Sequence, residues 1–400
     1  MLKYWGTTPW PALVVLVILL TTIFAALNAS GTAAQARFAA LPLELPAPAD
    51  NPTTPERVAL GRLLFWDPIL SGQKDVACAT CHHPDLGYAD GLDLSIGANG
   101  VGLGASRAFD ADHSSRLVKR NSQSILNVAF NGLTAGAGAT PAAAPMFWDL
   151  RVRSLEAQAL EPLKALEEMR GSAFPEDRAI AAVVSRLAGN AEYRRLFARA
   201  FGGTTAVSEA NLGRALAAFQ RTLVAANTPF DRYMRGETGA LSAEQVRGME
   251  RFESAGCIQC HSGPMFSDFA SHVLGVPDSA KLSESDSGVN HTYAFRTPSL
   301  RNLGSTAPYM HNGAFATLPE VINFYQRVSR GGGRGGRGGR AVNPNVSRDQ
   351  IDPLARALNM RGRGQRDLVA FLRALDDLSF DRTVPARVPS GLPVGGRLQP

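Results

Sequence analysis

Four hundred residues, 45% hydrophobic and 19% charged, are enough chain to bury two cores of ordinary size, which excludes a disordered or fibrous protein. Forty-one basic residues face 35 acidic ones, a modest excess that is weak evidence for a nucleic-acid partner. Four cysteines in a chain of this length exclude a disulfide-dense scaffold.

The first 36 residues read as a targeting segment. Lys3 precedes an apolar run from Ala12 to Leu27, and small residues follow through Ala34-Gln35-Ala36. The run suits a secretory signal with an Ala-Gln-Ala cleavage site, and so export to the periplasm. The alternative is an uncleaved anchor in the inner membrane, because Val14 to Phe24 is strongly hydrophobic and modest bilayer thinning would let it span. Further on comes Cys78-Ala-Thr-Cys81-His82. Ser208 then caps a helix whose Leu212, Leu216, Phe219 and Leu223 form one buried stripe. Asn227-Thr-Pro-Phe breaks that helix, and the pattern repeats with Cys257-Ile-Gln-Cys260-His261. The stretch Arg330 to Arg340, with Arg334 and Arg337 between glycines, reads as a solvated cationic loop rather than an RNA-binding tract. Leu368, Phe371, Leu372 and Leu375 close the second half as another helix. The chain therefore divides into modules at 50–226 and 227–385, each with one CxxCH. Gly and Pro punctuate most of the remainder, so the expected fold is mainly α with long loops.

Loops of that kind need something to pack on, and the CxxCH repeats supply it. Two thiols at i and i+3 on one helical turn can form thioethers to the two vinyl groups of one haem, while the adjacent His offers its imidazole to the iron. A Cys₄ zinc site or a redox CxxC would leave the paired His82 and His261 unexplained. Two covalently bound c-type haems are the expected cofactors, and their four propionates would offset most of the positive excess.

The blocks Leu64-Phe-Trp-Asp-Pro-Ile-Leu-Ser71, Phe147-Trp-Asp-Leu-Arg151, Gln158-Ala-Leu-Glu-Pro162, Arg296-Thr-Pro-Ser-Leu-Arg-Asn302 and Ala307-Pro-Tyr-Met-His-Asn-Gly313, in this order around both haem motifs, resemble the bacterial di-haem cytochrome c peroxidases and their MauG-like relatives. The resemblance runs from about Thr54 to Leu378. It implies two cytochrome c-like haem domains packed against each other, a peroxidatic haem in the first and an electron-transfer haem in the second.

The same resemblance assigns candidate site residues. Glu168 matches the family's distal glutamate, the proton shuttle for hydrogen peroxide, with Gln158 and Pro162 lining its pocket. Taken alone, Glu167 and Glu168 would be a solvated helix face. Trp148 matches the tryptophan between the haems, although a lone Trp is most often a core anchor. Asn121, Thr306 and Pro308 match the oxygen donors of a calcium ion between the domains. In family members that need reductive activation, a histidine after a Ser-Ile-Gly-like segment caps the first iron; here Ser95-Ile-Gly97 is followed by Ala98, and neither it nor Asn99 is a ligand, so the His82 haem is expected to be open unless His113 folds back. Aligning Thr317 to Tyr325 with the family's ligand segment puts Tyr325 at the sixth position of the second iron, as in the MauG-like branch, with Met310 as the rival. His272 and His311 lie in family blocks and are expected near the second haem, whereas His83 and His291 read as loop histidines.

Three functions remain open to the sequence. Hydrogen peroxide would be reduced with electrons from a small periplasmic cytochrome c or cupredoxin, a protein or organic substrate would be oxidised in a MauG-like reaction, or the chain would be a non-enzymatic electron carrier. No nucleic-acid partner is expected, and assembly into a dimer is left open.

Overall fold

Thr54 caps the helix Pro55–Trp66, because its side chain accepts from Arg57 N and Pro55 supplies a preset φ at the first helical position. The computed structural model describes residue 1 and residues 37–110, 116–331, 343–360 and 364–399. The targeting segment, His113, and Arg334, Arg337 and Arg340 lie outside the described residues. Among the described residues no helix is long and apolar enough to cross a membrane.

The first half is built on α1 (Pro55–Trp66), α2 (Ala179–Gly189), α3 (Ala191–Phe201) and α4 (Glu209–Arg221). Ser208 caps α4 by accepting from Asn211 N, and Leu212, Leu216, Phe219 and Leu223 are all buried, as the stripe predicted. The second half is built on α5 (Ala243–Ser254), α6 (Leu318–Ser329) and α7 (Gln365–Arg373). Leu368, Phe371, Leu372 and Leu375 are buried there. Strand structure among the described residues is confined to three antiparallel two-stranded ladders: β1 (Gly100–Val101) with β2 (Ala108–Phe109), β3 (Pro145–Met146) with β4 (Val152–Arg153), and β5 (Ser271–Val273) with β6 (Ala294–Arg296). The fold is mainly α with long connecting loops, as expected.

Both halves use the same device to bring two helices together. Where α1 crosses α4, a Cβ built on Gly61 would lie 2.0 Å from the backbone oxygen of Ala215; where α5 crosses α7, one on Gly248 would lie 2.0 Å from that of Asp367. Only glycine permits approach of backbone to backbone at this distance.

The chain ends cross over. Phe38 joins the second core, its ring 6.1 Å from Phe230 and 6.0 Å from Phe371. Phe380 and Val388 instead join the first core with Leu392 and Leu398, and Thr80 Oγ1 donates to Gly395 O at 3.0 Å. Between the halves, Arg120 forms two bonds to Asp286, at 2.5 and 2.9 Å. Deep in the second half, Arg301 grips Asp231 through two bonds of 2.8 and 2.9 Å, and Leu41 N donates to the same carboxylate at 3.0 Å. Breaking such a buried pair from one side typically costs about 3–5 kcal/mol.

Gly61→Ala and Gly248→Ala are each expected to force a helix pair apart, costing about 1–3 kcal/mol and lowering the melting temperature by several degrees. Gly136, with nothing within 4 Å of a built Cβ, is the control, and Gly136→Ala should leave the thermal unfolding curve unchanged.

Candidate active site

Cys78–Cys81 is a single helical turn closed by His82, whose N donates to Cys78 O at 3.0 Å. Cys257–Gln259 is a 3₁₀ turn, and His261 N donates to Cys257 O at 2.9 Å. Each motif thus presents two thiols and an imidazole from one turn. The imidazoles are oriented identically: His82 Nδ1 bonds Tyr88 O at 3.0 Å and His261 Nδ1 bonds Phe266 O at 2.9 Å. With Nδ1 held as donor to a carbonyl, Nε2 carries the lone pair. Burial lowers the pKa of both rings, favouring the neutral form that a metal needs. All four cysteines are free of disulfides, and burial pushes the Cys78 thiol up to about 12 and the Cys257 thiol up to about 11.

Both motifs open onto one cavity of about 640 Å³. Phe65, Leu126 and Leu216 wall it on one side and Phe252, Ile322 and Leu372 on the other, the apolar lining that a macrocycle needs.

The cavity also receives Gln158, Pro162, Glu168 and Trp148, and Glu168 lies near enough to Cys81 of the first motif to act on its thiol. Glu168 sits on a single π-turn, Leu166–Arg170, a local widening of the helix that recurs at functional sites. Its pKa is raised to about 7, first by burial and then by the neighbouring Glu167, against the opposing effect of Arg151. It is therefore not a solvated helix-face carboxylate. Ala98 is buried, and its N donates to Glu168 O at 2.8 Å; its side chain brings no donor atom to the site. Trp148 is buried, and its Nε1 donates to Asn121 O at 3.0 Å. Asn121, Thr306 and Pro308 line the same cavity. Asn121 Nδ2 donates to Leu92 O at 2.7 Å, which directs Oδ1 away from that carbonyl.

On the His261 side both Tyr325 and Met310 reach the cavity. Burial, followed by the Cys257 and Cys260 thiols, raises the pKa of the Tyr325 phenol, so the hydroxyl lies close to the second motif. Among the described residues it makes no hydrogen bond. Met310 packs against the core formed by Phe315 and Phe324. His272 and His311 also line the cavity, yet neither presents a free ring to an iron in the way His261 does. His272 is clamped between Asp352 at 2.7 Å on Nδ1 and Asp268 at 3.0 Å on Nε2, and the Asp268 bond is the largest cause raising its pKa to about 11. Cys260, Asp268 and His272 come together closely enough to hold an ion, but a Cys260 thioether would remove the thiolate from that set. His311 is buried and stacked on Phe295 at 3.6 Å; burial lowers its pKa to about 3. His83 bonds Asp85 N and His291 bonds Ser287 Oγ, loop roles as expected.

A family model described as di-haem cytochrome c peroxidase matches residues 55–239. The methylamine utilization protein MauG of Methylorubrum extorquens is 37% identical over 366 residues, which cover 89% of this chain and 90% of that protein. The chain belongs to the di-haem cytochrome c peroxidase family. Cytochrome-c peroxidase IdrP1 of Pseudomonas sp. strain SCT is 35% identical over 90% of this chain and 91% of its own. Among solved structures, a MauG-like protein associated with microbial copper homeostasis superposes with a TM-score of 0.66 at 29% identity, covering 84% of this chain and 95% of that one. As a member of this family the chain is an enzyme of the oxidoreductase class, and membership carries two haems. That displaces the electron-carrier reading. The residues present fit the cofactor: two thiol pairs, two oriented imidazoles and an apolar cavity common to both.

Some features of the site were not legible as function from the chain. The i, i+4 spacing of Asp268 and His272 was the available signal for one clamp; Asp352 had none. Arg296 stood in a recognised block without a role.

Proposed function

We propose that this chain reduces hydrogen peroxide to water in the periplasm, with peroxide reacting at the haem held by Cys78, Cys81 and His82 and electrons entering through the haem held by Cys257, Cys260 and His261. These haem domains correspond to 50–226 and 227–385, and the donor is a small periplasmic cytochrome c or cupredoxin. The observation that carries this reading is Glu168, a carboxyl of neutral pKa on the His82 side of the cavity. When bound, the two haems supply irons that each change oxidation state by one electron, and reducing one peroxide to two waters consumes two electrons and two protons.

The residues of the chain handle the protons. Glu168, as carboxylate, takes the proton from one peroxide oxygen and delivers it to the other, whose departure as water is thereby assisted; the two protons consumed in reducing the remaining oxygen to water come from solvent. Burial suits it to both halves of that exchange, because a carboxyl titrating near neutrality releases its proton as readily as it takes one. Gln158 and Pro162 wall the pocket and keep it narrow. Ala98 leaves the site open to peroxide without prior reduction. Trp148, fixed through Nε1, presents an oxidisable indole between the two motifs. Asn121, Thr306 and Pro308 offer oxygen atoms to a calcium ion, a hard cation that takes six to eight such ligands with water completing the set.

A second reading is favoured by Tyr325. Burial disfavours a free phenolate, so an anionic Tyr325 requires a metal cation beside it. A hard anionic donor stabilises the more oxidised metal, which suits MauG-like oxidation of a partner protein or organic substrate driven by peroxide.

Because the raised pKa of Glu168 keeps it protonated in acid, peroxidase turnover is expected to rise with pH through about 7 and then level off. Glu168→Gln should lower kcat by about 10²–10⁴-fold and abolish that rise; steady-state kinetics across pH with both haems attached checks it, and a preserved pH limb refutes the shuttle role. EPR of the oxidised protein should show a high-spin signal from the His82 haem and a low-spin signal from the other. Tyr325→Phe should alter the low-spin signal and Met310→Leu should not; the reverse result assigns the ligand to Met310 and restores peroxide reduction as the sole reading. Exhaustive chelation should depress activity reversibly, with recovery on adding calcium, and unchanged activity and spectra would exclude the ion.

A further inference from the structure

Four of the described arginines line the cavity, and three of them, Arg120, Arg151 and Arg301, have carboxylates. Arg301 is paired with Asp231. Arg120 contacts Asp149 at 2.6 Å and Asp286 at 2.5 Å. Arg296 is different. It is 6% exposed, yet Nε donates at 2.9 Å to Phe147 O and Nη2 at 3.2 Å to Gln123 Oε1, both neutral acceptors. Its Nη1 makes no hydrogen bond among the described residues. Burial lowers its pKa to about 10 with no carboxylate opposing the shift. A desolvated guanidinium of this kind is costly unless an anion meets it.

Its place in the fold says where the anion would come from. Arg296 N donates to Trp148 O at 2.7 Å, which seats it at the junction of the halves. Its partner Gln123 follows Ser122, whose Oγ contacts the His82 Nδ1 at 3.3 Å. The next residue, Thr297, accepts through its carbonyl from Ser267 Oγ at 2.7 Å, and Ser267 follows Phe266, the residue that holds His261. Arg296 is thus linked through short bonded paths to both haem-bearing turns.

We propose that Arg296 is the anchor for a haem propionate, its free guanidinium edge pairing with the carboxylate at the junction between the two haem sites. The proposal rests on the two-haem reading and adds a role for Arg296 within it. A planar guanidinium fits a carboxylate through two parallel hydrogen bonds. The pairing would fix the tilt of one macrocycle and place positive charge beside it, opposing the ferric state and raising the midpoint potential. Either haem could furnish the propionate.

The test is spectropotentiometry of the holoprotein with resonance Raman of the wild type. In Arg296→Gln, with both haems still attached, the midpoint potential of one haem should fall, and the haem that shifts identifies the owner of the propionate; Arg296→Lys should restore most of the shift. In the wild type, a propionate bending mode should move when N–H is exchanged for N–D, a measurement that needs no variant to fold. Unchanged potentials in a fully loaded Arg296→Gln protein, or a propionate mode insensitive to exchange, would overturn the proposal. A wild-type protein carrying fewer than two covalent haems would instead overturn the reading on which it rests.

Discussion

Two half-buried imidazoles must each present Nε2, and not Nδ1, to the same cavity, and the architecture around them follows from that requirement. A free imidazole in a loop would rotate and exchange tautomers. His82 and His261 do neither, because Tyr88 O and Phe266 O hold their Nδ1 atoms. Those carbonyls are held in turn. Tyr88 is fully buried and its hydroxyl donates to Asp381 O at 2.7 Å, while Phe266 lies within the aromatic cluster of Phe230, Phe252 and Phe371. Imidazole orientation is therefore set by the packing of each core, and a loosened core would reach the site through one hydrogen bond.

The crossing of the chain ends links the two sites mechanically. Asp381 and Gly395, which support the first motif through Tyr88 and Thr80, come from a tail that follows the second core. Phe38, which precedes the first motif, is packed in the second core, and Leu41 N donates to Asp231 of the second half. Neither half is thus closed by its own segment of chain alone. Relative movement of the halves would strain both straps, which suits a protein whose function requires a fixed distance between two redox centres.

Electrostatics distinguishes the two ends of the cavity. At the first, burial and a like-charged neighbour poise Glu168 near neutrality, the condition for moving protons. At the second, burial favours the neutral Tyr325 phenol, and the carboxylates present, Asp268 and Asp352, are already engaged by His272. On the proposed function, one end exchanges protons and the other holds charge on a bound metal. Arg296, between them, is a buried cavity-lining cation that meets no carboxylate among the described residues.

By itself the sequence determined what depends on short spacing. Two thiols and an imidazole on one turn, the Ser208 cap and the stripes of α4 and α7 are consequences of a helical repeat of 3.6 residues, and they appear where that period puts them. The likeness of its blocks to a known family pointed to Glu168, Trp148 and Tyr325 before their surroundings were known. Tertiary structure decided what depends on residues far apart in the chain: that Glu168 is buried enough to titrate near neutrality, that Asp352 and Asp268 clamp His272, that the segments at Phe38 and Phe380 exchange cores, and that Arg296 meets no acid among the described residues. Burial and charge pairing arise from contacts across tens or hundreds of residues. Local period and propensity do not encode them, so the pKa of a carboxyl or the solitude of a guanidinium exists only once the chain has folded.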